Sequence, residues 1–251
     1  MALRSGNEYK MEELLAEVPK VRIFLKPIAP PAALGLAGFA GSTAITSMWI
    51  ARWWGNDETS PGAFFPFVLF FGGLAQFIAG LMGFPARDTL VTVINTMWGS
   101  FWLSVGTLFF LNSAGIVEPK SIHEHFPELA SWFVVLSAFT WSGAIAAFAR
   151  DLILAACLTC LAIGSTIACC LFAHGEGVRA GIKAAAYFWL ASSFFAWWRV
   201  TVYLQEEAWG AKNSTLKKVF PVFRTSTEKR APLVVPGLGE PGVKRGMPGV
   251  I

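Results

Sequence analysis

The sequence predicts an all-α fold, a polytopic bundle of six transmembrane helices. Two observations concern composition: of the 251 residues, 55% are hydrophobic and 14% charged, and the mean hydropathy is +0.54. A soluble domain carries about 25% charged residues, so this chain lacks the polar side chains needed to cover a soluble surface. The third observation is that the apolar residues fall into stretches long enough to cross a bilayer, which takes about 20 residues.

Six apolar stretches divide the chain. They are Pro31–Ala51, Gly62–Met82, Leu90–Leu111, Leu129–Ala149, Leu152–Ala173 and Gly181–Leu204. We therefore expect an N-terminal cytosolic segment over 1–29, a transmembrane domain over 30–208 and a basic tail over 209–251. The tail is rich in Pro, Gly, Lys and Arg, a composition typical of disorder.

Polar residues interrupt the first three stretches. Ser42, Thr43, Thr46 and Ser47 lie in the first, Gln76 in the second and Asn95 in the third. Because an unpaired polar atom is costly in hydrocarbon, these side chains should face other helices or a hydrated path.

The distribution of basic residues predicts the topology. Fifteen of the 20 Lys and Arg lie in the N-terminal segment, the tail and the second and fourth loops, which share one side of the membrane if there are six spans. The positive-inside rule makes that side cytosolic, so both termini are expected in the cytosol. The net charge of +4 then reflects topology, and no nucleic-acid partner is expected.

Cys, His and acidic residues form no catalytic pattern. Cys157 and Cys160 have CxxC spacing but lie in an apolar helix, so we expect them to pack as small hydrophobic residues. His123 and His125 could bind a metal, but zinc needs three or four placed ligands, and a solvated loop is the favoured interpretation. No hydrolase, zincin or P-loop motif occurs, so the sequence predicts neither an enzyme nor a cofactor.

Three motifs exceed what packing alone requires. The first, Pro31–Gly41, opens with Pro and is rich in Gly and Ala. It suits close helix packing, and a helix N-terminus can alternatively hold an anion. The second, Phe71–Gly80, contains Gln76, which needs hydrogen-bond partners. The third, Trp98–Trp102, places aromatic rings inside a span, where converging rings can form a hydrophobic gate.

These motifs resemble the acetate uptake transporter family, of the SatP/YaaH and fungal Ato type. Its second-span signature is complete at Gly72 to Gly80, and its third-span motif appears as Trp98–Trp102. Altered forms of three further motifs occur at Pro30–Phe39, Ala196–Val200 and Phe220–Phe223.

The resemblance implies a hexamer with one pore per protomer that passes acetate or related short carboxylates, with or without a coupled proton. It implies a pore constriction made by Phe39, Trp98 and Leu154. The substrate-binding residues expected on this basis are Leu34, Gly35 and Gly38 at the first helix start, with Gln76 and Arg199.

Departures from the family pattern indicate a diverged member whose solute could differ from acetate. Trp98 replaces a Tyr, Gly83 a Glu and Arg199 an Asn. Arg199 could either extend to the cytosolic interface or line the pore as a fixed cation for a carboxylate.

Two other functions stay open at this stage. One is export of ammonium or ammonia, which has been attached to fungal relatives. The other is a non-transporting membrane sensor or assembly protein that uses the basic tail. The expected partners are the lipid bilayer and further copies of the chain, and the expected location is the plasma membrane, with the vacuolar or another endomembrane as the alternative.

Overall fold

The computed structural model describes residues 28–86, 88–118, 120–209 and 218–226. The expected N-terminal segment and most of the expected disordered tail lie outside these residues. Within them the chain forms six helices, which confirms the predicted all-α fold. The helices are α1 Pro31–Ile50, α2 Ser60–Met82, α3 Thr89–Ser113, α4 Pro127–Ala147, α5 Leu152–His174 and α6 Val178–Trp209.

Length and composition make α1 to α5 each able to cross a membrane. The sixth helix, α6, is the longest at 32 residues, but it does not reach the same apolar character. Its charged residues, among them Arg179, Lys183 and Arg199, lower its hydropathy. Large apolar side chains such as Phe70, Phe139 and Ile145 point outward from the bundle, as expected for surfaces that meet lipid or other protomers.

Local sequence explains where the helices start and stop. Pro31 and Pro127 occupy first helical positions, where the missing N–H has no intrahelical partner to lose. Asp88 and Asp151 cap α3 and α5, each accepting a hydrogen bond from a backbone N–H three residues on. Gly175, with φ of +80°, ends α5 in the left-handed conformation.

A π-helical segment, Val68–Ala75, interrupts α2 directly after Pro66. Its glycines allow α1 and α3 to approach closely: a Cβ on Gly72 would lie 2.3 Å from Ser42 Oγ, and one on Gly73 would lie 2.9 Å from Leu103 Cδ2. The second-span signature therefore supplies the space in which three helices meet.

The helices pack as neighbours along the chain and then close the bundle. α2 packs on α3, α4 on α5 and α5 on α6, while α1 packs on α6. We call the end at which α1 begins and α6 ends the lower end, and the opposite end the upper end. The core between them is dense, and Leu161, Ile182 and Val68 are fully buried in it.

Two buried Asp–Arg pairs join helix starts at the lower end. Arg150 binds Asp88 through both carboxylate oxygens, with Nη1 2.8 Å from Oδ2. Arg199 donates from Nε to Asp151 Oδ2 at 3.2 Å, and its Nη2 lies 3.1 Å from the same oxygen. Each Asp also caps a helix. The pairs therefore fix the start of α3 to Arg150, between α4 and α5, and the start of α5 to Arg199 on α6.

The short segment Lys218–Ser226, which we call the strap, crosses the lower end. Thr225 donates from its backbone N–H to the Arg150 carbonyl and from its hydroxyl to the Ala149 carbonyl. Leu152 donates from its backbone N–H to the Phe223 carbonyl, and Arg224 pairs with Glu206 on α6. This part of the predicted tail is therefore attached to the bundle.

Candidate functional site

A cavity lies among the helices in the upper half of the bundle. Its volume is about 70 Å³, and residues from all six helices line it. A cavity needs about 10–15 Å³ by this measure to hold one water, so there is room for roughly five groups of that size. Aromatic rings dominate its wall: Trp49, Phe65, Trp98, Phe101, Trp102, Phe109, Phe126, Phe133, Phe172 and Trp189.

Four polar atoms in this wall are buried without a hydrogen-bond partner among the residues that the structure describes. They are Thr43 Oγ1, Thr46 Oγ1, Trp102 Nε1 and Asn112 Oδ1. Each leaves an unmet hydrogen bond that costs free energy unless a water or a solute supplies it. The Thr hydroxyls and the indole N–H can all donate, which is what a carboxylate accepts.

Two of the residues expected to form the constriction, Phe39 and Trp98, lie in contact with each other. Phe39 and Trp98 are 3% and 2% exposed and meet edge to face, with ring centroids 6.4 Å apart. Trp98 also meets Phe101, with centroids 5.3 Å apart, and both rings line the cavity. The structure thus brings together two of the three residues expected to form the constriction.

Leu154, the third expected constriction residue, lies in the first turn of α5. It is partly buried against the same hydrophobic core as Phe39 and Trp98. Its backbone N–H donates to Asp151 Oδ1 at 2.8 Å, so the Asp cap fixes its position.

Trp98 is held from α4 by a hydrogen bond that no sequence pattern predicts. Its Nε1–H donates to Thr140 Oγ1 at 3.0 Å, and Thr140 is fully buried. A single Thr in an apolar helix gives no pattern that points to a partner 42 residues away.

Below the constriction, Gln76 and Asn95 form a buried polar pair. Gln76 is 1% exposed and donates from Nε2 to Asn95 Oδ1 at 3.4 Å, while its Oε1 has no partner within the described part of the chain. Gly35 and Gly38 of α1 lie against this pair. A Cβ on Gly35 would be 2.3 Å from Asn95 Oδ1, and one on Gly38 would be 3.4 Å from Gln76 Cβ.

Three of the expected substrate-binding residues, Gly35, Gly38 and Gln76, are therefore neighbours. Asn95 joins them, and the signal that could have identified it is a lone amide within an apolar span. Leu34 lies apart from this group, because it is 43% exposed on the outer face of α1.

Arg199 lies buried at the lower end and is 9% exposed. It pairs with Asp151, its guanidinium lies 4.6 Å from the ring centre of Tyr203, and its Nη1 has no partner in the segments that the structure describes. Because the Asp151 carboxylate balances its charge, Arg199 is not an isolated cation. Its guanidinium neither extends freely to an interface nor lines the cavity.

The interpretation of His123 as part of a solvated loop is wrong. Its ring is buried above the cavity, and Nδ1 lies 3.4 Å from Asp57 Oδ2. Burial lowers the pKa of His123 below the ordinary 6.5, and the Asp57 carboxylate partly opposes that effect. Ile122, next to it in the chain, lines the cavity, and loop packing of this kind leaves no periodic signal in the sequence.

Apolar helices around a cavity whose wall holds unpaired polar atoms are typical of a membrane channel or transporter. The chain belongs to the GPR1/FUN34/yaaH family, whose sequence model matches residues 16–219.

Three relatives illustrate the range of the family. The chain is 38% identical over 81 residues to ammonia transport outward protein 2 of Saccharomyces cerevisiae, covering 32% of this chain and 28% of that protein. It is 30% identical over 91 residues to the succinate-acetate/proton symporter SatP of Escherichia coli, covering 36% of this chain and 46% of that one. Accumulation of dyads protein 2 of Saccharomyces cerevisiae is 29% identical over 179 residues, covering 68% of this chain and 59% of that one.

Among solved structures, the bacterial acetate channel SatP has the same fold. The TM-score is 0.64 at 22% identity, and the match covers 73% of this chain and 96% of that one. The chain spans less than two thirds of each of the three curated relatives named above.

Proposed function

We propose that the chain is a membrane transporter or channel for acetate or a related short-chain carboxylate. The observation that carries the proposal is the cavity, whose size suits a small solute and whose wall holds three donors without partners: Thr43, Thr46 and Trp102. The names of the relatives agree, since one is a succinate-acetate/proton symporter and another an acetate channel.

The proposed path runs from the upper cavity to the lower end. A carboxylate binds the unpaired donors of the cavity, passes Phe39 and Trp98, and then meets Gln76 beside Gly35 and Gly38, with Leu154 of the first turn of α5 nearer the lower end. Arg199 is the expected binding residue near the lower end, whereas Leu34 faces outward from α1 and is left out of the path. The narrow apolar constriction favours the neutral acid over its anion, which would couple flux to protons.

The assembly and placement of the protein are part of the same proposal. The exposed apolar side chains on α2, α4 and α6, such as Phe70, Phe139 and Phe194, suit contacts between protomers of a hexamer as well as contacts with lipid. We place both termini in the cytosol and the protein in the plasma membrane, with an endomembrane such as the vacuolar one as the alternative.

Uptake of radiolabelled acetate into proteoliposomes tests the function. We expect uptake above that of protein-free liposomes between pH 5 and 7, and faster uptake at the lower pH, where more of the acid is neutral. Equal uptake with and without protein at every pH would contradict the carboxylate function.

Export of ammonium or ammonia is the second candidate, favoured by the relative named ammonia transport outward protein 2. The same proteoliposomes loaded with methylammonium test it. Efflux of methylammonium without acetate uptake would select this function, and the absence of both fluxes would leave the sensor or assembly protein as the interpretation.

A further inference from the structure

The hydroxyl of Thr140 has both of its hydrogen-bonding roles occupied. It donates to the Leu136 carbonyl at 2.6 Å and accepts from Trp98 Nε1 at 3.0 Å. Thr140 and Trp98 are 0% and 2% exposed, so no solvent competes with these bonds. The indole ring of Trp98 is therefore fixed to α4 in one orientation.

This hydrogen bond distinguishes Trp98 from Trp102, which otherwise has a similar position. Trp98 and Trp102 lie one turn apart on α3, and both line the cavity. Trp102 Nε1 has no partner among the described residues, while Trp98 Nε1 donates to Thr140. A solute in the cavity can thus take a hydrogen bond from Trp102, whereas the Trp98 ring offers it only carbon and π surface.

We propose that Thr140 sets the solute size limit of the path by holding Trp98 across it. Thr140 is a positioning residue, and the proposal rests on the carboxylate function given above. Without the hydroxyl, the buried indole N–H would lack a partner, which is costly. The ring would then turn toward the cavity, where unpaired acceptors lie, and the contact with Phe39 would open.

The experiment compares uptake of acetate and butyrate by proteoliposomes of the full-length chain. Thr140→Val keeps the shape of the side chain and removes the hydroxyl, whereas Thr140→Ser keeps the hydroxyl. From the usual net value of one hydrogen bond, we expect Thr140→Val to raise the butyrate-to-acetate uptake ratio roughly fivefold. Thr140→Ser should keep the native ratio, and a native ratio in Thr140→Val would overturn the proposal.

A second variant removes the donor of the same hydrogen bond. Trp98→Phe removes the N–H and part of the ring, and we expect a raised ratio in this variant as well. In the Trp98→Phe background, Thr140→Val should change the ratio no further, because the bond it breaks is already absent. A full additional change there would show that Thr140 acts by another route and would overturn the proposal.

The two proposals fail in different ways. If native protein takes up no acetate, the carboxylate function fails. If native protein takes up acetate but the Thr140→Val and Trp98→Phe ratios equal the native ratio, only the role of Thr140 fails. Because the readout is a ratio of two solutes in one preparation, a lower yield of folded variant does not change it.

Discussion

At the scale of single residues, the site depends on which polar atoms lack a partner. Trp102, Trp98 and Trp189 all line the cavity, but Trp98 donates to Thr140 and Trp189 lies within hydrogen-bond distance of Ser165. Trp102 Nε1 is unpaired, so its N–H is the indole donor available to a solute.

Replacing Trp102 by Phe should weaken carboxylate binding while it keeps an aromatic ring in the wall. A hydrogen bond to a charged group is worth about 1.5–3 kcal/mol, so we expect the KM for acetate to rise about tenfold or more. Uptake measured over a range of acetate concentrations gives the KM. The control is Trp141→Phe, because the indole of Trp141 donates to Thr166 on the outer surface. A native KM in Trp102→Phe would exclude Trp102 as a ligand.

His123 should make the stability of the protein depend on pH. Because burial lowers its pKa in the folded state, the unfolded chain binds more protons, and the free energy of unfolding decreases as the pH falls below about 6.5. Melting in detergent at pH 5 and pH 7.5 should show a smaller difference for His123→Gln than for the native chain.

His174→Gln is the matched control for this titration, since His174 is exposed at the end of α5. It should leave the pH dependence of the melting temperature unchanged. A native pH dependence in His123→Gln would mean that His123 is not the group that titrates.

At the scale of the helices, close approach rather than hydrophobicity determines how α1, α2 and α3 meet. The π-helical segment of α2 turns the Phe71 carbonyl toward α1, and a Cβ on Gly38 would lie 2.3 Å from that oxygen. The small residues of the first and second motifs are therefore required by geometry.

Gly38→Ala should destabilise the protein, because the added methyl meets a backbone carbonyl that cannot move freely. Overpacking of this kind costs about 1–3 kcal/mol. Denaturant or thermal unfolding in detergent measures the loss. Gly62→Ala is the control, since a Cβ there has nothing within 4 Å, and equal stability of the two variants would contradict the close approach.

Sequence patterns predicted what repeats along the chain, and they missed what depends on contacts between distant residues. Gln76 and the glycines around it stand in a recognisable motif, and the pairing of Phe39 with Trp98 followed from the family resemblance. Thr140, Asn112 and the Asp88–Arg150 pair gave no such signal, because each depends on residues from other helices. The burial of His123 was missed because loop packing has no periodicity.

At the scale of the whole molecule, charged side chains lie in ion pairs at both ends of the bundle. The lower end carries the Asp88–Arg150 and Asp151–Arg199 pairs and the strap, while the upper end carries Arg52, Asp57 and His123. The two buried pairs are neutral overall, so they add nothing to the charge asymmetry that the sequence shows before α1 and after α6. The topology proposal therefore depends mainly on these terminal segments.

Protease protection tests this topology. Trypsin added to intact cells should leave a C-terminal epitope attached, although the tail contains many Lys and Arg, and it should remove the epitope once the membrane is permeabilised. The Asn213-Ser214-Thr215 sequon should also stay unglycosylated in a host that modifies such sites. Cleavage on intact cells would reverse the assigned orientation.

The strap joins the tail to the start of α5 through backbone hydrogen bonds. Phe223 bonds the backbone of Leu152, and Leu154 follows within the same first turn of α5. Any partner that binds the strap in a detached form must first break these bonds, so its affinity depends on the state of the α5 start. By reciprocity, binding of that partner would favour the state of the α5 start in which these bonds are broken, and it would do so by the same free energy.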